Sequence, residues 1–254
     1  MGIPLLYPWA NRLSALEFEV AGRTVRVDPQ SPRVKLDDNG LPIHGLLTAA
    51  PGWRVDAHEA DADGARLRAG FAFDAGSGLT SAFPFPHEVA IEAKLRESTL
   101  SVSTSVLATE GSPVPIAFGF HPYLRIPGVP RAEWLISVPA RERLVLDERG
   151  LPTGGREPAG FAPGALGTRT FDDAFTARED EPFVLEGAGR RIELIPGRGY
   201  PFAQLYAPAD HDLIAFEPMT APTNALLTAG PTLSVIEAGG SHEAVFALEI
   251  AGRS

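Results

Sequence analysis

The chain has 254 residues, of which 44% are hydrophobic and 21% charged, which is typical of a globular protein and excludes a disordered one. A net charge of −10 argues against nucleic acid or an anionic membrane as the main partner, and the absence of cysteine excludes disulfides and thiolate metal sites. No apolar run approaches the roughly 18 residues that cross a bilayer, and the first residues lack a secretory pattern. We therefore expect a cytoplasmic protein.

Short runs with period-two alternation recur along the chain, whereas long runs with helical period are hard to find. In the first run, Leu16, Phe18 and Val20 alternate with Ala15, Glu17 and Glu19. Glycine-containing or polar turns separate neighbouring runs, which predicts hairpins. The paired runs are 16–20 with 24–27, 88–95 with 100–106, 183–185 with 191–194, and 232–235 with 244–250.

This spacing of strands and turns predicts an antiparallel β-sandwich or barrel. The stretch 147–170, rich in glycine and proline, is predicted to be a long surface connection. We see no domain boundary and expect residues 1–254 to form a single domain.

Several familiar catalytic motifs are absent. The sequence has no Walker A loop, no GxGxxG after a strand, no HExxH and no GxSxG. What remains is a scatter of polar residues in apolar or rigid surroundings.

Three of these stretches carry a cation or a ring. Asn11 and Arg12 in YPWANRL offer either a surface arginine or a hydrogen-bonding fork for a polyhydroxyl ligand. His44 in PIHGLL is either a satisfied core histidine or a site residue. His121 in GFHPYL lies between aromatic residues, and Pro122 stiffens the backbone beside it. It is either a packed turn residue or an acid/base group with a fixed ring direction.

Two stretches carry carboxylates. In TFDDAFT, only one of Asp172 and Asp173 can face inward if the segment is extended. Glu217 ends the apolar run Ile214–Phe216, where burial would raise its pKa towards a value useful for a base. Glu217 is the strongest candidate on physical grounds.

The other histidines are less informative. His58 and His211 lie in polar stretches and are assigned to surface loops, and His242 to a glycine turn. His87, after Phe-Pro-Phe-Pro, is a candidate for the rim of a site. A metal site needs three or more convergent ligands, and no spacing here indicates one.

Together, YPWANRL, HGLL, FGFHPYL, FDDAF and EPMTAPTNAL resemble the aldose 1-epimerase (galactose mutarotase) family. The motifs are short, but their order spans most of the chain. The resemblance implies a large antiparallel β-sandwich with a sugar site over one sheet. It implies no cofactor.

The resemblance also implies roles. His121 corresponds to the family's general acid and Glu217 to its general base. Arg12, together with Asn11, and His44 correspond to sugar contacts. Asp172 corresponds to the aspartate that binds sugar hydroxyls, with Asp173 the weaker candidate.

Family members usually carry about two or three more strands before the YPWANRL segment. We therefore expect some edge strands of the sandwich to be missing. An unprotected edge favours pairing between copies, so a homodimer is plausible.

Three alternatives to a mutarotase of neutral hexoses stay open. A glycosidase would use Asp172 and Glu217 as its carboxylate pair. A binding module would use the same sandwich without catalysis. A hexose-6-phosphate 1-epimerase would need cations for the phosphate, and Arg12, Arg125 and Arg131 are the candidates.

Overall fold

A computed structural model describes residues 2–109, 111–139, 142–159 and 161–252. In chain order, the strands of these ranges are β1 Leu5–Leu6, β2 Glu17–Val20, β3 Arg23–Arg26, β4 Lys35–Leu36, β5 Pro42–Ile43, β6 Arg54–Asp61, β7 Gly64–Phe73, β8 His87–Arg96, β9 Thr99–Ala108, β10 Val114–Ile116, β11 Gly119–Phe120, β12 Tyr123–Leu124, β13 Leu135–Val138, β14 Glu142–Leu146, β15 Pro152–Pro158, β16 Phe161–Ala165, β17 Phe171–Thr176, β18 Phe183–Gly187, β19 Arg190–Pro196, β20 Phe202–Ala207, β21 Ile214–Met219, β22 Ser234–Ile236 and β23 Ser241–Gly252. Helical structure there is limited to α1, Ala225–Thr228, and two 3-10 turns at Ala75–Ser77 and Arg131–Glu133.

Two large antiparallel sheets form the sandwich. The eight-stranded sheet has the order β1-β11-β21-β20-β17-β14-β15, with β12 also paired to β21. The nine-stranded sheet has the order β16-β13-β18-β19-β23-β9-β8-β7-β6. Three small sheets, β2-β3, β4-β5 and β10-β22, complete the described strands. The predicted antiparallel β-sandwich is confirmed.

The core lies between the two large sheets. Phe216 of β21 contacts Phe183 of β18 with ring centroids 5.6 Å apart, and Phe120 of β11 contacts Phe246 of β23 at 5.1 Å. Every residue of β21 is buried, on both faces. Strand β21 is therefore covered by the second sheet on one side and by loops on the other.

Three predicted hairpins are confirmed by the register. Strand β2 pairs with β3, β8 with β9, and β18 with β19. In each, the turn has a residue with positive φ at its first position, and in two of them the next residue is glycine, Gly22 and Gly189. The alternation of apolar side chains matched one buried face, which is why it predicted the strands correctly.

The fourth predicted hairpin is wrong. Strand β22 pairs with β10, 120 residues earlier, and β23 lies between β9 and β19. Alternation identifies a strand but does not identify its partner. His242 belongs to β23, with its ring against Phe118 at 6.1 Å, and not to the preceding turn.

The prediction of a surface connection over 147–170 is also wrong. This stretch contains β15 and β16, each at the edge of a large sheet. An edge strand pairs on one side only, so it tolerates the prolines and glycines that would disrupt a central strand. His58 is exposed as predicted, but it lies in edge strand β6 and not in a loop.

The inner face of the nine-stranded sheet continues past the core and becomes exposed at one end. Val55, Leu67 and Leu95 share that face and are 60%, 43% and 44% exposed. The expected pairing of two copies stays a prediction. No helix in the described ranges has the length and apolarity needed to cross a membrane.

Candidate active site

The candidate site lies on the face of the eight-stranded sheet that points away from the core. Glu217 is directly opposite Gln204, and Tyr206 is directly opposite Asp172. Because alternate residues of a strand share a face, these four side chains are neighbours on one surface. Phe216 points the other way, into the core.

Glu217 is the buried carboxylate of this surface, with a side chain only 3% exposed. Its Oε1 lies 3.2 Å from Nε2 of His121, and its Oε2 has no hydrogen-bond partner among the described residues. Burial, reinforced by the negative charge of Asp172, raises the pKa of Glu217 well above its usual value. A buried oxygen without a partner is costly, which favours a ligand hydroxyl at this position.

His121 follows β11 and is held by both backbone and ring contacts. Its backbone N–H donates to the carbonyl of Pro4 at 3.0 Å, and its ring stacks on Tyr123 with centroids 4.3 Å apart. Gly119 allows β11 to lie close to β21, because a Cβ on residue 119 would lie 2.7 Å from the carbonyl oxygen of Pro218. Burial, with a smaller contribution from Lys35, lowers the pKa of His121 to about 4.

Glu217 and His121 form a coupled acid/base pair. The pKa of the imidazole is lowered to about 4 and the pKa of the carboxyl is raised, so both shifts favour the uncharged pair, with a proton on the carboxyl and none on the imidazole. Transfer along the 3.2 Å contact between Oε1 and Nε2 would move that proton from the carboxyl to the imidazole. The arrangement supplies one proton acceptor and one proton donor at the same point.

Arg12 connects the site to a loop that precedes His44. Its Nε donates to Asp37 at 3.2 Å and its Nη2 to Asp172 at 3.3 Å, while Nη1 donates to the amide oxygen of Asn11 at 3.1 Å. Gln204 holds the other oxygen of Asp172 at 2.7 Å. The guanidinium and Asp172 are thus fixed before any ligand arrives.

Asp37 was not singled out in the sequence. Burial would raise its pKa, but backbone N–H groups of Leu41 and Asn39, together with Arg12, hold the pKa below its usual range. Asp37 is therefore a permanent negative charge that positions Arg12. Its Asp-Asp-Asn-Gly surroundings are typical of an ordinary turn, so the sequence gave no indication of this role.

His44 reaches the site through an unusual backbone. His44 and Gly45 have φ values of 65° and 68°, and the N–H of His44 donates to the carbonyl of Asn11 at 3.0 Å. A Cβ on Gly45 would lie 2.2 Å from the carbonyl oxygen of Tyr7. The His44 ring contacts His121 edge-on at 5.6 Å, and burial, then the charge of His121, lowers its pKa to about 3.

These side chains line a polar cavity of about 330 Å³, which we call the polar lobe. It brings together all six residues predicted as site residues, namely Asn11, Arg12, His44, His121, Asp172 and Glu217. Their roles stay predictions. The sequence reasoning missed Lys35, Asp37 and Tyr206, which also line the lobe. Tyr206 had a detectable signal, because Gln204 and Tyr206 are the polar positions of the otherwise apolar run 202–207.

Other predicted residues lie elsewhere. His87 does not form a rim: it is buried in the core, where Nε2 meets the hydroxyl of Tyr7 at 2.5 Å and Nδ1 meets the carbonyl of Phe85 at 2.5 Å. Its alternation with Val89 on the inner face of β8 was the overlooked signal. Asp173, on the opposite side of β17 from Asp172, pairs with Arg143 at 3.1 Å.

The arginines considered for a phosphate are poorly placed for one. Arg12 lies between two carboxylates, and Arg131 is buried, donating to the carbonyls of Gly167, Arg169 and Ala207. Arg125 is exposed and lies outside the polar lobe. Within the described ranges, no group of three or more His, Asp or Glu side chains could hold a metal ion.

The chain belongs to the aldose 1-epimerase family, whose profile matches residues 2–248. No curated protein matches the sequence significantly.

Solved structures share the fold. A galactose mutarotase-like protein from Clostridium acetobutylicum superposes with a TM-score of 0.86 at 19% identity, covering 99% of this chain and 80% of that one. Galactose 1-epimerase from Lactobacillus acidophilus gives 0.76 at 16%, covering 98% and 80%. An aldose epimerase homologue from C. elegans gives 0.73 at 14%, covering 98% and 82%.

Proposed function

We propose that the protein is an aldose 1-epimerase that interconverts the α and β anomers of a hexose. The observation that carries this proposal is the contact between Glu217 and His121, 3.2 Å apart in a polar cavity. Opening a sugar ring requires a proton to leave O1 and another to reach O5. A coupled carboxyl–imidazole pair that holds one proton can do both.

The reaction starts once the proton of Glu217 has moved to His121, which leaves an ionised carboxylate and a protonated imidazole. Glu217 takes the proton of the O1 hydroxyl, the C1–O5 bond breaks, and His121 gives its proton to O5. The product is the open aldehyde, with the proton of the pair now on Glu217. Rotation about C1–C2 presents the other face of the carbonyl. Reclosure then returns one proton to O1 from Glu217 and one from O5 to His121.

The surroundings fit this chemistry. The hydrogen-bonded Arg12 and Asp172 present fixed donors and acceptors to sugar hydroxyls, which lowers the entropic cost of orienting the ring. The rings of Tyr123 and Tyr206 flank His121 at centroid distances of 4.3 and 5.8 Å and fix its direction. Burial of both partners strengthens their electrostatic interaction with the reacting atoms.

The glycosidase alternative has less support. Both oxygens of Asp172 are held, one by Arg12 and one by Gln204, which suits an orienting carboxylate better than a general acid. A glycosidase also has no required place for His121. A binding module without catalysis would need no coupled acid/base pair.

The test is the rate of anomer exchange on a panel of freshly dissolved α-aldoses, followed by polarimetry. We expect acceleration by the wild-type protein for at least one hexose. Release of sugar from aryl glycosides without anomer exchange would support the glycosidase instead. Binding of hexoses without exchange would support the module.

A further inference from the structure

The cleft does not end at the acid/base pair. A second cavity of about 420 Å³, which we call the side lobe, adjoins the polar lobe and shares with it Lys35, His44, His121 and Tyr123. His121 borders both lobes, whereas Glu217 borders the polar lobe alone. The side lobe is therefore bordered by the imidazole and not by the carboxylate.

The chemistry fixes which part of a sugar faces the side lobe, provided the proposed function holds. O1 lies at Glu217 and O5 at His121, so C1 lies between the two partners. O5 is bonded to C1 and C5. The C5 carbon and its C6 branch therefore extend beyond the imidazole, away from Glu217 and towards the side lobe.

Charge divides the two lobes. In the described ranges, the polar lobe is lined by four acidic residues, Asp37, Asp38, Asp172 and Glu217, and by only two cations, Arg12 and Lys35. The side lobe has no acidic residue in its described lining, and its cations are Arg33 and Lys35.

In a chain with a net charge of −10, such a cavity is distinctive. Arg33 and Lys35 are exposed and form no ion pair within the described ranges. An anion is therefore repelled from the polar lobe and attracted to the side lobe.

Lys35 occupies the junction between the lobes. It pairs with Ile43 in the short β4-β5 sheet, which places it beside His44. Lys35 lines both lobes together with His44 and His121, and its positive charge lowers the pKa of both rings. An anion bound to Lys35 would offset that charge and raise the pKa of His121.

We propose that the side lobe binds an anionic group on C6 of the sugar, a phosphate monoester or a carboxylate, through Arg33 and Lys35. A hydroxymethyl group would leave most of the lobe empty. The apolar walls, formed by Pro4, Leu6, Val34 and Leu46, would contact the carbon chain. The same walls would suit a 6-deoxy sugar, which the test includes as a competing outcome.

The first experiment compares four substrates by two-dimensional NMR exchange between anomers at equilibrium: glucose, glucose 6-phosphate, glucuronate and 6-deoxyglucose. We expect one or both anionic sugars to have a higher kcat/KM than glucose, and added salt to reduce the difference. Equal or greater preference for 6-deoxyglucose would overturn the proposal. The two anionic substrates distinguish phosphate from carboxylate.

The second experiment uses Arg33→Met, Lys35→Met and, as a matched control, Arg125→Met, because Arg125 is exposed and outside both lobes. The ratio of kcat/KM for the anionic sugar to that for glucose should fall roughly tenfold or more in the first two variants. It should stay unchanged in the control. A ratio that is the same in all three variants would contradict a role for Arg33 and Lys35.

A third experiment separates this proposal from the proposed function. The probe is 1,5-anhydroglucitol 6-phosphate, which lacks the anomeric hydroxyl, with calorimetry as the measurement. Binding that is weakened by Arg33→Met supports the side lobe even if no sugar undergoes exchange. Exchange of glucose without binding of this probe supports the proposed function and overturns the side lobe as an anion site.

Discussion

Two buried histidines with similar electrostatics occupy quite different regions. His121 and His87 are 5% and 1% exposed, and burial lowers the pKa of each to about 4. Both ring nitrogens of His87 have partners, Tyr7 and Phe85, and its ring stacks on Phe73. His121 has no partner at Nδ1 among the described residues, and it contacts Glu217 at the wall of a cavity that both side chains line. The shifted pKa is common to both, so the position of the ring at a cavity wall, beside a carboxylate, is the better indicator of function.

The largest effect should come from removing the carboxylate that distinguishes His121 from His87. Glu217→Gln keeps the shape but cannot accept a proton, so we expect kcat for anomer exchange to fall by roughly 10²- to 10⁴-fold. The measurement is polarimetry, with the melting temperature as a control for folding. Exchange at the wild-type rate would remove Glu217 as the base.

Exchanging each histidine for glutamine tests the comparison directly. His121→Gln should lower kcat by roughly 10²-fold or more, because the proton donor is lost. His87→Gln should leave the activity of the folded protein intact but lower the free energy of unfolding by about 1–3 kcal/mol, because Tyr7 and Phe85 lose a fitted partner. Denaturant unfolding and exchange kinetics on both variants give the two readouts. The reverse pattern would contradict the distinction between the two histidines.

The pH profile should report the Glu217–His121 pair. As pH falls through about 4, the pair gains a second proton and Glu217 can no longer act as a base. As pH rises through the raised pKa of Glu217, the pair loses its last proton and no acid remains. We expect a bell-shaped kcat/KM, falling about tenfold per pH unit outside the plateau. A single limb near the ordinary histidine value of about 6.5 would contradict coupling.

Two arginines, one in the cavity and one in the core, allow the same comparison with smaller expected effects. Arg12 presents its fork to Asp37 and Asp172, so Arg12→Lys should raise KM roughly tenfold with little loss of stability. Arg131 satisfies three backbone carbonyls, so Arg131→Lys should lower the free energy of unfolding by about 1–3 kcal/mol without changing KM. Equal changes in KM for both variants would contradict this division.

Local patterns predicted the site better than they predicted the pairing of strands. Glu217, His121 and His44 each precede a proline or a glycine, residues with special backbone conformations. Short stretches of sequence were therefore enough to single these three residues out. The partners of β10 and β22 depend on a contact across 120 residues, which alternation cannot encode. Strands β15 and β16 were missed because edge positions tolerate proline and glycine.

The residues missed at the site have a different cause. Lys35 and Asp37 come from a short turn-rich segment in which charged residues are normally surface residues. Only the fold brings that segment over the outer face of the eight-stranded sheet. A polar side chain within an apolar run is a detectable sign of a site residue, whereas a charged side chain in a polar loop is not.

The left-handed backbone at Asn11, His44 and Gly45 has a consequence for protein design. Grafting the six site side chains onto another sandwich would not reproduce the site unless the new backbone also adopted positive φ at these points. His44 would otherwise point elsewhere, and a side chain in place of Gly45 would collide with the backbone of Tyr7. A successful transplant would have to move the segment carrying Asn11 and the segment carrying His44 and Gly45 together, because the two are hydrogen-bonded to each other. The acid and the base could then be placed on the host sheet.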